Sequence, residues 1–299
     1  MKVNIGAAFV EGFKVIGREP LSLVGWALAL VAYYVVQFGV GMVFGGTMSV
    51  AMMANMSKGA SGGFDPGMIG GFLFLILVMS VLGLVFFSIV GSAMYRAVLN
   101  PTGSRAWARL RLTGSEGALA LSLLLLMVVY LVWYLATAIV CTILFRVAGA
   151  GGGGGVLVFL VGAFSALSFL SLFAFVGPMT IDKGRFCFGD AVGAAAKQFW
   201  RLIGLHLLLF LLLIAVYIVL VVLVLLFMGG TFAALSAGDP SQTEQAIMKM
   251  FTSPVVLLSI FIVLPIVVAV IQVLFITPAA RAYADAVGES TSQQVEAFS

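Results

Sequence analysis

The sequence predicts an all-α integral membrane protein with six transmembrane helices, on three observations. First, all 26 charged residues (15 basic, 11 acidic) lie outside six long windows that carry no charge. Second, each window is long enough for the roughly 20 apolar residues that a helix needs to cross the hydrocarbon core. Third, 63% of residues are hydrophobic, only 9% are charged and the mean hydropathy is +1.23, values foreign to a soluble domain. Backbone groups in lipid must bond internally, which leaves helices or closed barrels. Unbroken apolar runs without inside–outside alternation argue against a barrel.

The windows are residues 20–57, 66–95, 117–145, 147–181, 202–238 and 250–280. Before the first, residues 1–19 do not read as a signal peptide, because Glu11, Lys14, Arg18 and Glu19 stand where an apolar core would be needed. Between the third and fourth, Gly149 to Gly155, broken only by Ala150, reads as a flexible connector. Between the fifth and sixth, Asp239-Pro240 reads as the start of a short outer helix, with Asp as cap and Pro in the first turn. The last residues, 287–299, are polar and are expected to form a disordered cytoplasmic tail. The chain is expected to be one membrane domain, 1–299.

Alternating six spans puts twelve of the fifteen Lys and Arg residues on one side, with only Lys58, Arg146 and Lys249 on the other. By the positive-inside rule both termini are then cytoplasmic. Eight acids share the inner side, leaving it with a net charge of four positive and the outer side neutral. The basic balance thus belongs to the cytoplasmic face. It suits anionic lipid headgroups, and nothing in it calls for nucleic acid. Cys141 falls inside a span and Cys187 in a cytoplasmic loop, so a disulfide between them is not expected, and their spacing fits no metal site.

A threefold internal repeat organises the windows. Before spans one, three and five the chain reads Phe13-Lys-Val-Ile-Gly-Arg-Glu19, Leu110-Arg-Leu-Thr-Gly-Ser-Glu116 and Trp200-Arg-Leu-Ile-Gly-Leu-His206. The shared glycines are Gly17, Gly114 and Gly204. After the even spans, Val90-Gly-Ser-Ala, Val176-Gly-Pro-Met and Ile276-Thr-Pro-Ala align as exits. The units are 4–95, 104–181 and 188–281, each an interfacial helix leading into a two-span hairpin. In the first helix Ile5, Phe9, Phe13 and Ile16 share a face. In the third, Phe188, Val192, Ala195, Phe199 and Leu202 do so. The second is shorter, with Ser104 as N-cap and Trp107 and Leu110 facing lipid.

Such helices lie in the headgroup plane with basic edges toward phosphates. Lys14, Arg18, Arg109, Arg111, Lys197 and Arg201 are therefore the candidate headgroup contacts, against the simpler reading that they only seat the protein. Glu19, Glu116 and His206 share one repeat position, and around a pseudo-threefold axis they would form a polar ring. The competing reading is ordinary helix-start chemistry, with Glu favoured by the N-terminal dipole. Met42, Met48, Met52, Met53, Met56 and Met68 cluster around the first outer loop. Thioethers bind Cu(I), but with no His or Cys beside them flexible packing is the better account. No metal or cofactor is expected.

No span holds an Asp, Glu, Lys or Arg in its interior, which argues against ion-coupled transport. Polar side chains within spans are Tyr33, Tyr34, Gln37, Tyr130, Tyr134, His206, Tyr217 and Gln272. Small residues (Gly41 with Gly45; Gly162 and Ala166 with Ser165, Ser168 and Ser171) give faces suited to close helix contact. No phosphate-binding glycine motif, HExxH or GxSxG is present, and no enzymatic activity is expected.

A basic amphipathic helix, a glycine, a hydrophobic hairpin and an exit Gly-Pro or Thr-Pro make the chain resemble bacterial inner-membrane proteins of the YciC-like group. It is also similar to the membrane domain attached to some glycerophosphodiester phosphodiesterases, whose catalytic domain is absent here. The resemblance implies a bacterial inner-membrane location and transfers no active-site residue. The expected role is a non-enzymatic membrane subunit that scaffolds or assists a larger complex, its partners being membrane lipids and other membrane subunits. The alternative is a transporter or exporter component for a lipidic or apolar solute. A continuous cavity lined by Gln37, Tyr130 or Gln272 would favour transport, and a dry bundle the subunit.

Overall fold

A computed structural model describes residues 3–56, 66–101, 109–110, 113–148, 152–236 and 262–298. Among these there is no strand. The elements are α1 (Ile5–Arg18), α2 (Pro20–Met56), α3 (Pro66–Leu99), α4 (Gly114–Ala148), α5 (Gly152–Phe173), α6 (Val176–Lys183), α7 (Phe188–Ala196), α8 (Phe199–Ser236) and α9 (Leu264–Phe298). Six helical segments are long and apolar enough to cross a membrane, one in each predicted window.

Local chemistry sets the breaks. Asn4 caps α1, its side chain accepting from the Ala7 N–H at 3.1 Å. α1 stops at Glu19 because Pro20 disfavours helical geometry in the residue before it, while serving as the first residue of α2. The chain between α5 and α6 breaks at Ala174–Phe175, since Pro178 cannot bond to the carbonyl four residues back. Pro278, which the sequence pattern aligns with Pro178, lies inside the unbroken α9, where Thr277 Oγ donates to the Val273 carbonyl at 2.7 Å. α6 ends at Gly184, whose φ of 61° is the left-handed turn-off that glycine supplies.

Four expectations about local structure change. Gly152 to Gly155 form the first turn of α5 instead of a loop. This is tolerable in a membrane helix, where unbonded backbone costs more than glycine's weak propensity. The amphipathic stretch 188–202 is split by a turn at Lys197–Gln198. The face of α1 turned to the protein is Ala8, Glu11, Gly12 and Val15, one residue off the Ile5–Phe9–Phe13–Ile16 stripe. The reason is steric. A Cβ on Gly12 would stand 3.0 Å from the Leu274 backbone, so only small residues fit between α1 and α9, and Phe13 is left exposed. α9 continues helical to Phe298, through the polar tail. The Asp239-Pro240 helix, Lys58, Gln242, Ser104 and Trp107 lie outside the described residues.

The core sits at one end of the bundle. Its members come from the starts of α2, α4 and α8 (Trp26, Leu30, Leu119, Leu202, Leu205), the ends of α3 and α5 (Val90, Met94, Phe169) and from α9 (Val273, Tyr283). Helix contacts follow a cyclic rule. Each helix that opens a hairpin touches its own return and the return of the preceding hairpin: α2 meets α3 and α9, α4 meets α5–α6 and α3, α8 meets α9 and α5. The returns α3, α6 and α9 meet one another, and α1 and α7 lie on α9 and on α5–α6 respectively. Where α6 crosses α3, the Tyr95 ring occupies the space a Cβ on Gly177 would need.

Candidate functional site

Two groups of polar side chains lie at the packed end. The larger joins α1, α3 and α4. Glu19, carried at the α1–α2 break, is 3% exposed and forms a forked ion pair with Arg109. Arg109 Nη2 donates to Glu19 Oε1 at 2.7 Å and Nε to Oε2 at 3.1 Å, with Ser22 Oγ adding a bond at 3.1 Å. The remaining guanidinium protons go to backbone carbonyls at the end of α3: Arg96 at 3.1 Å, Asn100 at 2.5 Å and Pro101 at 3.1 Å. All five guanidinium donors are thereby used. Arg18 adds a bond to the Ala97 carbonyl at 2.7 Å. Two arginines thus gather on the carbonyls around the C-terminus of α3, at the negative end of its dipole, although the Arg96 carbonyl also accepts from the Asn100 N–H. Arg109 takes a φ of 60°, unusual for a side-chain-bearing residue, to reach this position.

Arg96 continues the network. Its Nη2 donates to Glu116, which also accepts from Ser92 Oγ at 3.2 Å. Glu116 Oε2 accepts from the Thr113 N–H at 2.6 Å and from its hydroxyl at 2.5 Å. Thr113-Gly-Ser-Glu116 thereby forms the glutamate half of a capping box: the carboxylate reaches back to the Thr113 N–H, while the Glu116 N–H donates to the Thr113 carbonyl and not to its hydroxyl. Glu19 and Glu116 belong to one network through Arg109 and Arg96. His206 does not join it. Its Nδ1–H donates to the Leu202 carbonyl at 2.8 Å, with Ser171 Oγ at 3.2 Å from the same nitrogen. The predicted ring is therefore a linked pair of acids and a separate histidine among the described contacts.

The second group lies at the α7–α8 turn. A cavity of about 520 Å³ is lined by Leu172, Ala196, Lys197, Gln198, Phe199, Trp200 and Arg201. Lys197 is exposed and Arg201 half-buried. The Arg201 Nη1 is shut off from solvent and has no hydrogen-bond partner among the described residues.

Of the six expected headgroup contacts, Lys14, Arg18 and Lys197 are exposed and Arg201 is half-buried. Arg109 is 3% exposed and committed to Glu19, and Leu110, expected to face lipid, packs on the core around Val15 and Trp26. Arg111 lies outside the described residues. The three aligned glycines have no common packing role: a Cβ would meet open space at Gly17 and Gly114, and at Gly204 it would stand 3.4 Å from Ile5 of α1. Cys141 and Cys187 are free thiols. Met42 is exposed, and the side chains of Met48, Met52, Met53, Met56 and Met68 lie outside the described set.

Within the spans, Gln37 donates to Tyr33 Oη at 2.6 Å, one turn back on its own helix. Tyr130, Tyr134 and Tyr217 face outward. Ser165 of α5 meets Trp133 and Thr137 of α4 at 2.8 and 2.6 Å, so the small-residue face of α5 is partly taken by α4. A side groove of about 610 Å³ between α2, α3 and α4 is lined mainly by apolar groups, with Tyr33 and Ser80 at its wall.

The fold and these contacts define an all-helical protein with six helices apt for a membrane and a polar network at one end of the bundle. Comparison with protein-family models, characterised proteins and solved structures returns no match for this chain.

Proposed function

We propose that the chain is a non-enzymatic, multi-pass subunit of a bacterial inner membrane that scaffolds or assists a larger complex, with anionic lipid at its basic cytoplasmic edge. One observation carries the reading: beyond Ser122, no described residue of α4 is buried, and the helix presents Leu131, Leu135, Ile139 and Ile143 outward along its length. An apolar face of that length is matched to lipid or to another subunit's helix. The basic count at the packed end supports cytoplasmic termini. The cyclic contact rule, with each hairpin leaning on the preceding return, supports three repeated units at 4–95, 104–181 and 188–281. The likeness to YciC-like proteins agrees with this reading.

The alternative, a carrier for a lipidic or apolar solute, draws on the side groove beside Tyr33. Against it, none of the grooves described is lined by Gln37, Tyr130 or Gln272. The test is purification in mild detergent with photo-crosslinkers at Leu131, Leu135 and Ile139. A subunit reading expects one stoichiometric protein partner at those positions. A monodisperse chain crosslinked only to lipid, which speeds solute flux in vesicles, would establish the carrier instead.

A further inference from the structure

We propose that the cavity at the α7–α8 turn is a binding site for a single phosphate group, with Arg201 and Lys197 as its ligands. The inference rests on the membrane reading above for its source of ligand, and on the cavity itself for its chemistry. Arg201 Nη1 is a cationic donor removed from water and unbonded among the described residues. Leaving such a group unmet is unfavourable, and Arg96 Nη1 is in the same state in the larger network; what offers Arg201 to a ligand is that the residue also lines an open space. The cavity of about 520 Å³ that Arg201 lines is large enough for a phosphodiester and the glycerol beside it. Lys197 stands on the same wall, so two bases face one space.

Among the described residues, no ion pair engages Lys197 or Arg201. Asp190, the carboxylate of α7, is 3.8 Å from Lys183, and His206 occupies the repeat position where Glu19 and Glu116 stand elsewhere. The ligand must then bring its own negative charge. The planar guanidinium suits a phosphate because two of its N–H groups can bond two oxygens at once. The rest of the wall is apolar: Leu172, Ala196, Phe199 and Trp200. Trp200 is 73% exposed in the first turn of α8, the position of an interfacial tryptophan. A charged recess beside an apolar, aromatic rim fits a phospholipid whose phosphate enters the recess while its chains run along α5 and α8. A free phosphate shares the recess chemistry and does not use the rim.

The experiment compares wild type with Arg201→Gln, Lys197→Gln and Arg201→Lys in nanodiscs of phosphatidylcholine with a minor share of phosphatidylglycerol. Retained lipid is counted by native mass spectrometry, and inorganic phosphate is titrated against lipid-free protein in parallel. Wild type should hold one phosphatidylglycerol per chain, and Arg201→Gln should weaken retention about tenfold, which corresponds to about 1.4 kcal/mol. Arg201→Lys should fall between, because an ammonium lacks the fork. Arg146→Gln, at the opposite end of α4, should match wild type. Phosphate binding without lipid retention, lost in Arg201→Gln, would assign the site to free phosphate. Equal binding by wild type and Arg201→Gln in both arms would overturn the proposal. If Arg201→Gln does not elute as a folded species, Lys197→Gln and Arg201→Lys carry the same comparison. Release of wild type from membranes by alkaline carbonate would instead sink the membrane reading, leaving the phosphate arm intact.

Discussion

The junction where α2 and α4 begin and the junction where α8 begins both place an arginine beside the entry of a spanning helix, but only the first supplies it with acceptors. Arg109 has a carboxylate and three carbonyls around it, and every donor is engaged. Arg201 has a cavity in front of it and a buried nitrogen without a partner among the described residues. In the sequence alignment of the proposed units, the position that holds Glu19 and Glu116 holds His206 in the third. An arginine at the packed end is thus a structural clamp where an acid is supplied, and under the phosphate proposal it is left for an external anion where none is.

The largest expected effect lies in the clamp. Removing one partner of a buried pair leaves the other charge stranded, at a cost of about 3–5 kcal/mol. Arg109→Gln or Glu19→Gln should lower the melting temperature sharply in mild detergent, and the double variant should be much less damaging than the two single losses added. Additive losses would mean the two residues act separately, dissolving one side of the comparison.

Close helix crossings come next. Gly177→Ala would drive a methyl into the Tyr95 ring, and Gly12→Ala would meet the α9 backbone. Overpacking of this kind costs about 1–3 kcal/mol. Gly17→Ala, with open space around it, should be close to neutral. A neutral Gly177→Ala would show that α6 can slide on α3 and that this crossing is not tight.

A smaller effect belongs to the capping box. Thr113→Ala should cost about 1 kcal/mol, the usual worth of an N-cap, and Thr113→Ser should recover most of it. The same thermal measurement reads both, and no difference between Ala and Ser would mean that the Thr113 hydroxyl adds nothing to the hold that Arg96, Ser92 and the backbone N–H at position 113 have on Glu116. Orientation is checked by cysteine labelling from the outer face, which should modify single cysteines at Lys58 and Gln242 and spare one at Thr102. Labelling at Thr102 would put the clamp and the phosphate recess on the other side of the membrane.

The six long apolar helices were legible because charge exclusion over some 20 residues is a signal no packing detail can mask. The break at Pro20 and the Thr113–Glu116 box were equally local, and the box could have been read from its Thr-x-x-Glu spacing. The pairing of Glu19 with Arg109 was not legible, because it joins residues 90 positions apart through a backbone turn at positive φ. Counting bases as headgroup contacts treated Arg109 and Arg201 alike, and composition cannot tell which of them an acid reaches. The buried face of α1 was misplaced by one residue for a related reason. Periodicity weights large apolar side chains, whereas the α1–α9 contact selects Ala8 and Gly12 for their small size.

The most direct test of this account crosses its two arginines. Arg109→Gln and Arg201→Gln are each measured for melting temperature in lipid-free detergent and for retained phosphatidylglycerol. The account predicts a marked drop in melting temperature with lipid retained for Arg109→Gln, and a near-wild-type melting temperature with lipid lost for Arg201→Gln. Two variants that change both quantities to the same degree would contradict it.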